Sequence, residues 1–224
     1  GYDVTAVLKD KENTQWSSDG TTDDKTFKFI INKADGSMVA PAAVNNLVYN
    51  GSEQSLVTAG SGTGTMKYSL DGIDYSTAIP KGKEAKTYTV HYKVEGDSNH
   101  RDTAVASINV EVKKAPVTVT ADNKTINTGG TLPANSYTAE GLFGSDTLGD
   151  ATYTYKDAEG KEIAADAINL NKAGTYTIEV SGLSNNNYEI TYATGTLTIN
   201  KKSSGSTYKP PVQKPSITAG EGFK

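Results

Sequence analysis

The sequence predicts an all-β chain assembled from tandem sandwich modules, and three observations carry that expectation. The first is a recurring segment: Gly174-Thr-Tyr-Thr-Ile178 and its continuation to Asn187 reappear as Lys86-Thr-Tyr-Thr-Val90 running to Asn99, and again from Gly1 to Asn13. In each copy a tyrosine (Tyr2, Tyr88, Tyr176) opens the segment and an asparagine follows 11 positions later, so successive asparagines stand 86 and 88 residues apart. That period suits a small β domain and not a helical repeat. The second observation is alternation. Tyr88, Val90, Tyr92 and Val94 fall on one phase and Thr89, His91 and Lys93 on the other, as in a half-buried strand. Tyr176, Ile178 and Val180 repeat the pattern, as do Tyr2, Val4, Ala6 and Leu8. The third is that threonine, valine and tyrosine cluster in short runs, with no amphipathic helical pattern over 11 or more residues. A tyrosine opening such a strand just after a turn fits a tyrosine corner, its ring between two sheets and its hydroxyl returned to nearby backbone. Tyr2, Tyr88 and Tyr176 are therefore expected to be structural.

The repeat divides the chain. Residues 1–34 read as the C-terminal half of a first module, with strands at Tyr2–Leu8 and Thr26–Ile31 around a polar loop. Without front strands this half should expose the face of Phe27, Phe29 and Ile31, with poor order or an improvised partner there. Residues 35–114 form a second module. Leu47-Val-Tyr-Asn-Gly51 is a strand ending in a turn, and Asp71-Gly72 suits a tight hairpin after Met66–Leu70. The corner strand and Ile108, Val110 and Val112 complete it. Lys114-Ala-Pro-Val117 is too short and stiff to be slack, so one module's last strand should run into the next module's first, as in a rod. Residues 115–201 form a third module, with a hairpin at Tyr153–Ile163 and a closing strand at Thr196–Ile199. Residues 202–224 read as a Ser/Gly/Pro-rich linker.

Composition narrows the function classes. Net charge is −4 without a basic patch interleaved with aromatics, which argues against nucleic acid as a partner. Zero cysteines exclude disulfides, thiolate metal sites and cysteine nucleophiles. No run of 18 apolar residues is present, so no membrane insertion is expected. The chain opens at the tyrosine of copy one and reads as an excerpt whose signal and anchor lie outside it.

Val117-Thr-Val-Thr-Ala121, Gly141-Leu-Phe-Gly-Ser-Asp-Thr-Leu148, Gly174-Thr-Tyr-Thr-Ile178, Asn187-Tyr188 and Thr196-Leu-Thr-Ile-Asn-Lys201 resemble the MBG domain, an immunoglobulin-like repeat of large bacterial surface proteins. Val44-Asn-Asn-Leu-Val-Tyr-Asn-Gly-Ser-Glu-Gln54 in the second module is similar to segments of such repeats. The resemblance implies immunoglobulin-like sandwiches in an elongated array, non-catalytic and extracellular, from the cell wall or surface of a Gram-positive bacterium.

Side chains that could carry chemistry are sparse. His91 lies on the wet phase of a strand and His100 in a loop, and no serine–aspartate–histidine grouping emerges, so no catalytic residue and no cofactor is assigned. Gly60-Ser-Gly-Thr-Gly-Thr65 has the glycines of a phosphate cradle but precedes a strand where a cradle needs a helix, and reads as a mobile hairpin loop. Acidic residues at Asp23-Asp24, Asp71/Asp74, Asp97 and Asp146/Asp150 lack the spacing of a calcium loop. A glycan site would use exposed aromatic faces, for which Trp16, Tyr153, Tyr155 and Tyr188 are the candidates. A Lys–Asn or Lys–Asp isopeptide crosslink cannot be read from the sequence.

The function expected is that of a monomeric stalk or spacer. Strands of seven to nine residues rising roughly 3.3 Å each give a module about 30–40 Å long. The alternatives are an adhesive module for a cell-wall or host glycan or protein, or accessory repeats of a secreted glycoside hydrolase.

Overall fold

A computed structural model of the chain describes residues 1–203 and Val212; the linker assigned to residues 202–224 lies almost wholly outside the described residues. The described chain is all-β, with one turn of 3₁₀ helix at Ala165–Ala167. It divides into two compact units. Unit 1 comprises Gly1–Val117, Gly141–Leu148 and Ser184–Ile190, and unit 2 comprises Thr118–Glu140, Gly149–Leu183 and the described residues from Thr191 on.

In unit 1, β1 (Tyr2–Ala6) and β2 (Lys25–Phe29) form a two-stranded antiparallel sheet. Next come β3 (Met38–Val39), β4 (Leu47–Val48), β5 (Gln54–Ser55), β6 (Ser61–Gly62), β7 (Gly64–Ser69), β8 (Lys81–Gly82), β9 (Thr87–Gly96) and β10 (Ala106–Lys113). The main sheet has order β4-β10-β9-β7, with β4 parallel to β10 and the other pairs antiparallel. Small sheets β3-β6 and β5-β8 accompany it. Alternation along β9 does what the sequence pattern requires: Val90, Tyr92 and Val94 are buried and Thr89 is exposed. These residues join Leu47, Leu56, Val57, Tyr68, Val110 and Val112 in the core. Turn chemistry closes the hairpins. Gly51 and Gly72 adopt φ +76° and +75°, and Asp71 Oδ1 accepts the backbone N–H groups of Ile73 and Asp74.

The glycine-rich stretch Gly60–Thr65 corrects the expectation of a mobile loop. Ser61–Gly62 pairs with Met38–Val39, Thr63 N–H donates to Ser37 O at 3.1 Å, and Gly64 already belongs to β7. The glycines serve close packing. A Cβ on Gly62 would lie 2.4 Å from Ser37 O and 2.5 Å from Val94 Cγ2, and one on Gly64 2.2 Å from Glu95 O.

Unit 2 draws on β11 (Ala115–Ala121), β12 (Lys124–Asn127), β13 (Tyr137–Glu140), β14 (Thr152–Lys156), β15 (Glu162–Ile163), β16 (Gly174–Ser181), β17 (Tyr188–Ala193) and β18 (Gly195–Asn200), although β11 and β17 each begin in unit 1. Its larger sheet has order β12-β18-β16-β14-β15, and the smaller is β13-β11-β17. Buried residues come from both: Val119 and Ala121 from the smaller, and Tyr155, Ile178, Val180, Leu197 and Ile199 from the larger.

The two main sheets share a pairing scheme. A short early strand runs parallel to the last strand (β4 on β10, β12 on β18), the last pairs antiparallel with the tyrosine strand (β9, β16), and that pairs antiparallel with the hairpin strand (β7, β14). Register matches as well: Tyr88 faces Val110, Tyr176 faces Leu197 and, in the first hairpin, Tyr2 faces Phe29.

Candidate functional site

The feature that brings the most sequence-distant chemistry together lies within unit 1. Tyr49 follows β4 directly, where the turn at Asn50-Gly51 reverses the chain, and its ring is buried. The segment Gly141–Leu148 folds over it, turned by Gly144 at φ +57° and by an N–H of Asp146 donating to Phe143 O. Tyr49 Oη donates to Asp146 Oδ2 at 2.7 Å, and Tyr188 Oη donates to the same oxygen at 2.6 Å. Phe143 N–H in turn donates to Tyr188 Oη at 2.9 Å. The Tyr49 ring meets Tyr188 and Phe143 edge-on, with centroids 5.4 and 6.0 Å apart, a geometry favoured by aromatic quadrupoles. Phe143 closes on the turn, its Cβ only 3.0 Å from where a Gly51 side chain would begin.

Two phenols on one carboxylate oxygen set the electrostatics. The hydroxyls of Tyr188 and then Tyr49 stabilise the charged carboxylate, and Lys83 adds to this, so Asp146 titrates below its usual range. Reciprocally, the Asp146 bond and burial push the Tyr49 phenol up to about 12. Burial, then Asp146, raises Tyr188. A carboxylate held charged by two donors is a poor general base; its chemistry is that of a clasp. An open groove of about 320 Å³ runs alongside, lined by Tyr49, Ser52, Lys83 and Ser145 among others.

Asn187 extends the clasp. Its carbonyl oxygen accepts the N–H of Ala115 at 2.9 Å, its Oδ1 accepts the N–H of Ala85 at 2.8 Å, and its Nδ2 donates to Glu84. The repeat-related position behaves alike: Asn99 O accepts the N–H of Ala34 at 2.8 Å. Both asparagines sit in an Asx turn, Asn99 N–H donating to Asp97 Oδ1 and Asn187 N–H to Asn185 Oδ1. Asn13 differs by one place, because Asp10 Oδ1 accepts from both Glu12 and Asn13.

The candidate glycan aromatics do not form a platform. Tyr155 and Tyr188 are each only 2% exposed and present no face to a sugar: each lies on the inward phase of its segment, and Tyr155 Oη donates to Asn135 Oδ1. Tyr153 is half-buried, its phenol raised by that burial, and half-buried Trp16 donates Nε1–H to Asp23 O at 2.5 Å. The tyrosine-corner positions differ from one another. Tyr88 Oη donates to Glu84 O, four residues upstream, at 3.1 Å, and its ring is half-buried. Tyr176 is half-buried without a hydroxyl partner among the described residues. Tyr2 is 63% exposed, so it fills no space between sheets, because no described residue covers its face of the hairpin.

Asp71 and Asp97 are occupied by turn amides and neighbouring side chains. Asp71 Oδ1 takes the Ser69 hydroxyl and the Ile73 and Asp74 amides, which hold it down at about 2. Asp97 takes the Asn99 amide and the His100 ring, which lower it too. Among the described residues no group of three or more His, Asp or Glu converges as metal ligands would, and no helix is long and apolar enough to cross a membrane.

Tyr49, Phe143 and Asn187 were in view as strand, motif and repeat marker but not as a site. The available signal was an aromatic directly before an Asn-Gly turn, and an acid flanked by serine and threonine in Gly141–Leu148. A search of curated proteins found no match. Residues 117–198, which contain β12 to β16, Asp146, Asn187 and Tyr188, match the family model of the MBG domain (YGX type).

Proposed function

We propose that the chain is a non-catalytic, extracellular repeat region that serves as a stalk or spacer in a bacterial surface protein, its modules being tandem immunoglobulin-like sandwiches. The observation that carries the reading is the recurrence of one backbone bond, Ala34 to Asn99 and Ala115 to Asn187, at repeat-related positions. A device that ties a residue at a module boundary to the asparagine loop of the module beginning there, and is used twice, belongs to a chain built by serial addition. The matched pairing schemes of β4-β10-β9-β7 and β12-β18-β16-β14 support it, and the MBG match brings the association with surface proteins.

The polar–aromatic clasp fits such a role. It spends its titratable groups on holding chain segments together and offers no base or nucleophile to a substrate. A glycan array probed with the full chain tests the reading. The stalk predicts no saturable binding, and a reproducible, saturable response to a defined sugar would replace it with the adhesive reading.

A further inference from the structure

The sequence contains a single Asn-Gly pair, Asn50-Gly51, and the fold puts it directly after Tyr49 of the clasp. The pair is chemically unstable, because glycine has no Cβ to keep its amide nitrogen away from the carboxamide carbon of the preceding asparagine. Folding protects such a pair when it engages the amide or fixes the side chain, and other turns of this chain do both. In Asp19-Gly20 the Gly20 N–H donates to Trp16 O at 2.8 Å, and in Asp71-Gly72 the Gly72 N–H donates to Ser69 Oγ at 2.9 Å. Asn135, which precedes a serine, has its Oδ1 fixed by the hydroxyl of buried Tyr155.

Asn50-Gly51 lacks these protections. Asn50 is exposed, its Nδ2 has no partner and the Gly51 N–H has no acceptor among the described residues. The bond that the turn does make favours attack. Ser52 N–H donates to Asn50 Oδ1 at 3.0 Å, the oxygen on which negative charge gathers when its carbon is attacked. Lys83 lines the same groove and adds a positive field.

We propose that Asn50 is a spontaneous modification site and that its conversion to isoaspartate loosens the clasp. The amide nitrogen of Gly51 gives up its proton to solvent base and attacks Cγ of Asn50. The new N–Cγ bond closes a five-membered succinimide, the Cγ–Nδ2 bond breaks, and Nδ2 takes up a proton and leaves as ammonia. Water then opens the ring. Opening at Cγ gives an ordinary aspartate at position 50, and opening at the main-chain carbonyl gives isoaspartate, in which the backbone runs through the side chain and is one carbon longer. That extra carbon has no room on one side, because Phe143 Cβ stands 3.0 Å from where a Gly51 side chain would begin. It therefore pushes back on Tyr49, whose hydroxyl holds Asp146 at 2.7 Å and whose ring meets Phe143 edge-on. Residues 141–148 lose a fastening, and the loss accumulates with the age of the molecule. The inference rests on the turn and the clasp and not on the stalk reading, so either can fail alone.

The test ages the full chain at mildly alkaline pH, in buffer and in urea, and follows each asparagine by peptide mapping for the amide-to-acid mass change. In buffer Asn50 should convert at least about tenfold faster than any other asparagine. Its rate should stay within about threefold of the rate in urea, whereas Asn135 should be slowed at least about tenfold by folding. Isoaspartate is read by enzymatic methyl transfer, and amide exchange in residues 141–148 should quicken at least about tenfold in the isoaspartate fraction. Asn50→Asp adds the charge without lengthening the backbone and should exchange like the fresh chain; Asn50→Gln should age without change in this segment. An Asn50 that reacts in urea but stays intact in buffer overturns the proposal. Isoaspartate that accumulates at position 50 with unchanged exchange in residues 141–148 overturns it too.

Discussion

The carbonyl oxygen of Asn187 accepts the amide proton of Ala115 at 2.9 Å, while its side chain holds Glu84 and Ala85. One residue thus ties together three points of the chain. Asn187→Ala keeps the backbone bond and removes the side-chain bonds, and should cost about 1–2 kcal/mol in urea unfolding. Asn99→Ala removes a side chain with no equivalent partner among the described residues, and should stay within about 0.5 kcal/mol of wild type. Equal losses would show that the side-chain bonds of Asn187 contribute nothing.

Asp146 gives the clasp a pH signature. Its folded-state titration is depressed below the ordinary 3.8 by the Tyr188 and Tyr49 hydroxyls. Its contribution is therefore fully present above the unfolded value and is lost as pH falls through the folded one. Tyr49 works in the opposite sense: its phenol is raised from 10.0 to about 12, so its contribution is present below the unfolded value and fades as pH rises through the folded one. Urea midpoints measured from pH 2 to 7 should fall less steeply at the acid end in Asp146→Asn than in wild type, and Tyr49→Phe should reduce the slope in the same window. Parallel curves would remove Asp146 as their source.

Truncating the Tyr188 ring tests the packing. At 2% exposure with an edge-on aromatic neighbour, Tyr188→Ala should cost about 3–5 kcal/mol. Tyr176 is half-buried, so Tyr176→Ala should cost about 1–2 kcal/mol, less than a fully buried corner ring would. The reverse order, by urea denaturation, would contradict the burial described for both.

Two glycines, one in the second module and one in the third, separate close packing from open space. Gly62→Ala brings a Cβ against Ser37 O and Val94 and should cost about 1–3 kcal/mol. Gly174→Ala meets nothing within 4 Å and should be neutral within about 0.5 kcal/mol. A neutral Gly62→Ala would return the stretch to a mobile loop.

What the sequence made visible was local. Strand phase is written in neighbouring residues, so Tyr88, Val90, Tyr92 and Val94 could be read directly, as could the turns at Gly51 and Gly72. Pairing at a distance was not legible: Tyr49 and Asp146 are 97 residues apart, and nothing in either segment names the other. Tyr155 and Tyr188 were considered as exposed aromatics because ring type was visible and the opposing layer was not. Gly60–Thr65 misled for a related reason, since glycines that admit a neighbouring backbone look the same in sequence as glycines that loosen a loop. The first hairpin followed its pattern, but Tyr2 could not behave as Tyr88 does without the strands that cover the latter.

The central claim is that these are serial modules whose role is reach. Small-angle scattering on residues 1–203 measures that most directly. A single compact chain of this size has a radius of gyration of about 17 Å, and the stalk predicts a value above about 22 Å. A value near the compact figure would contradict it.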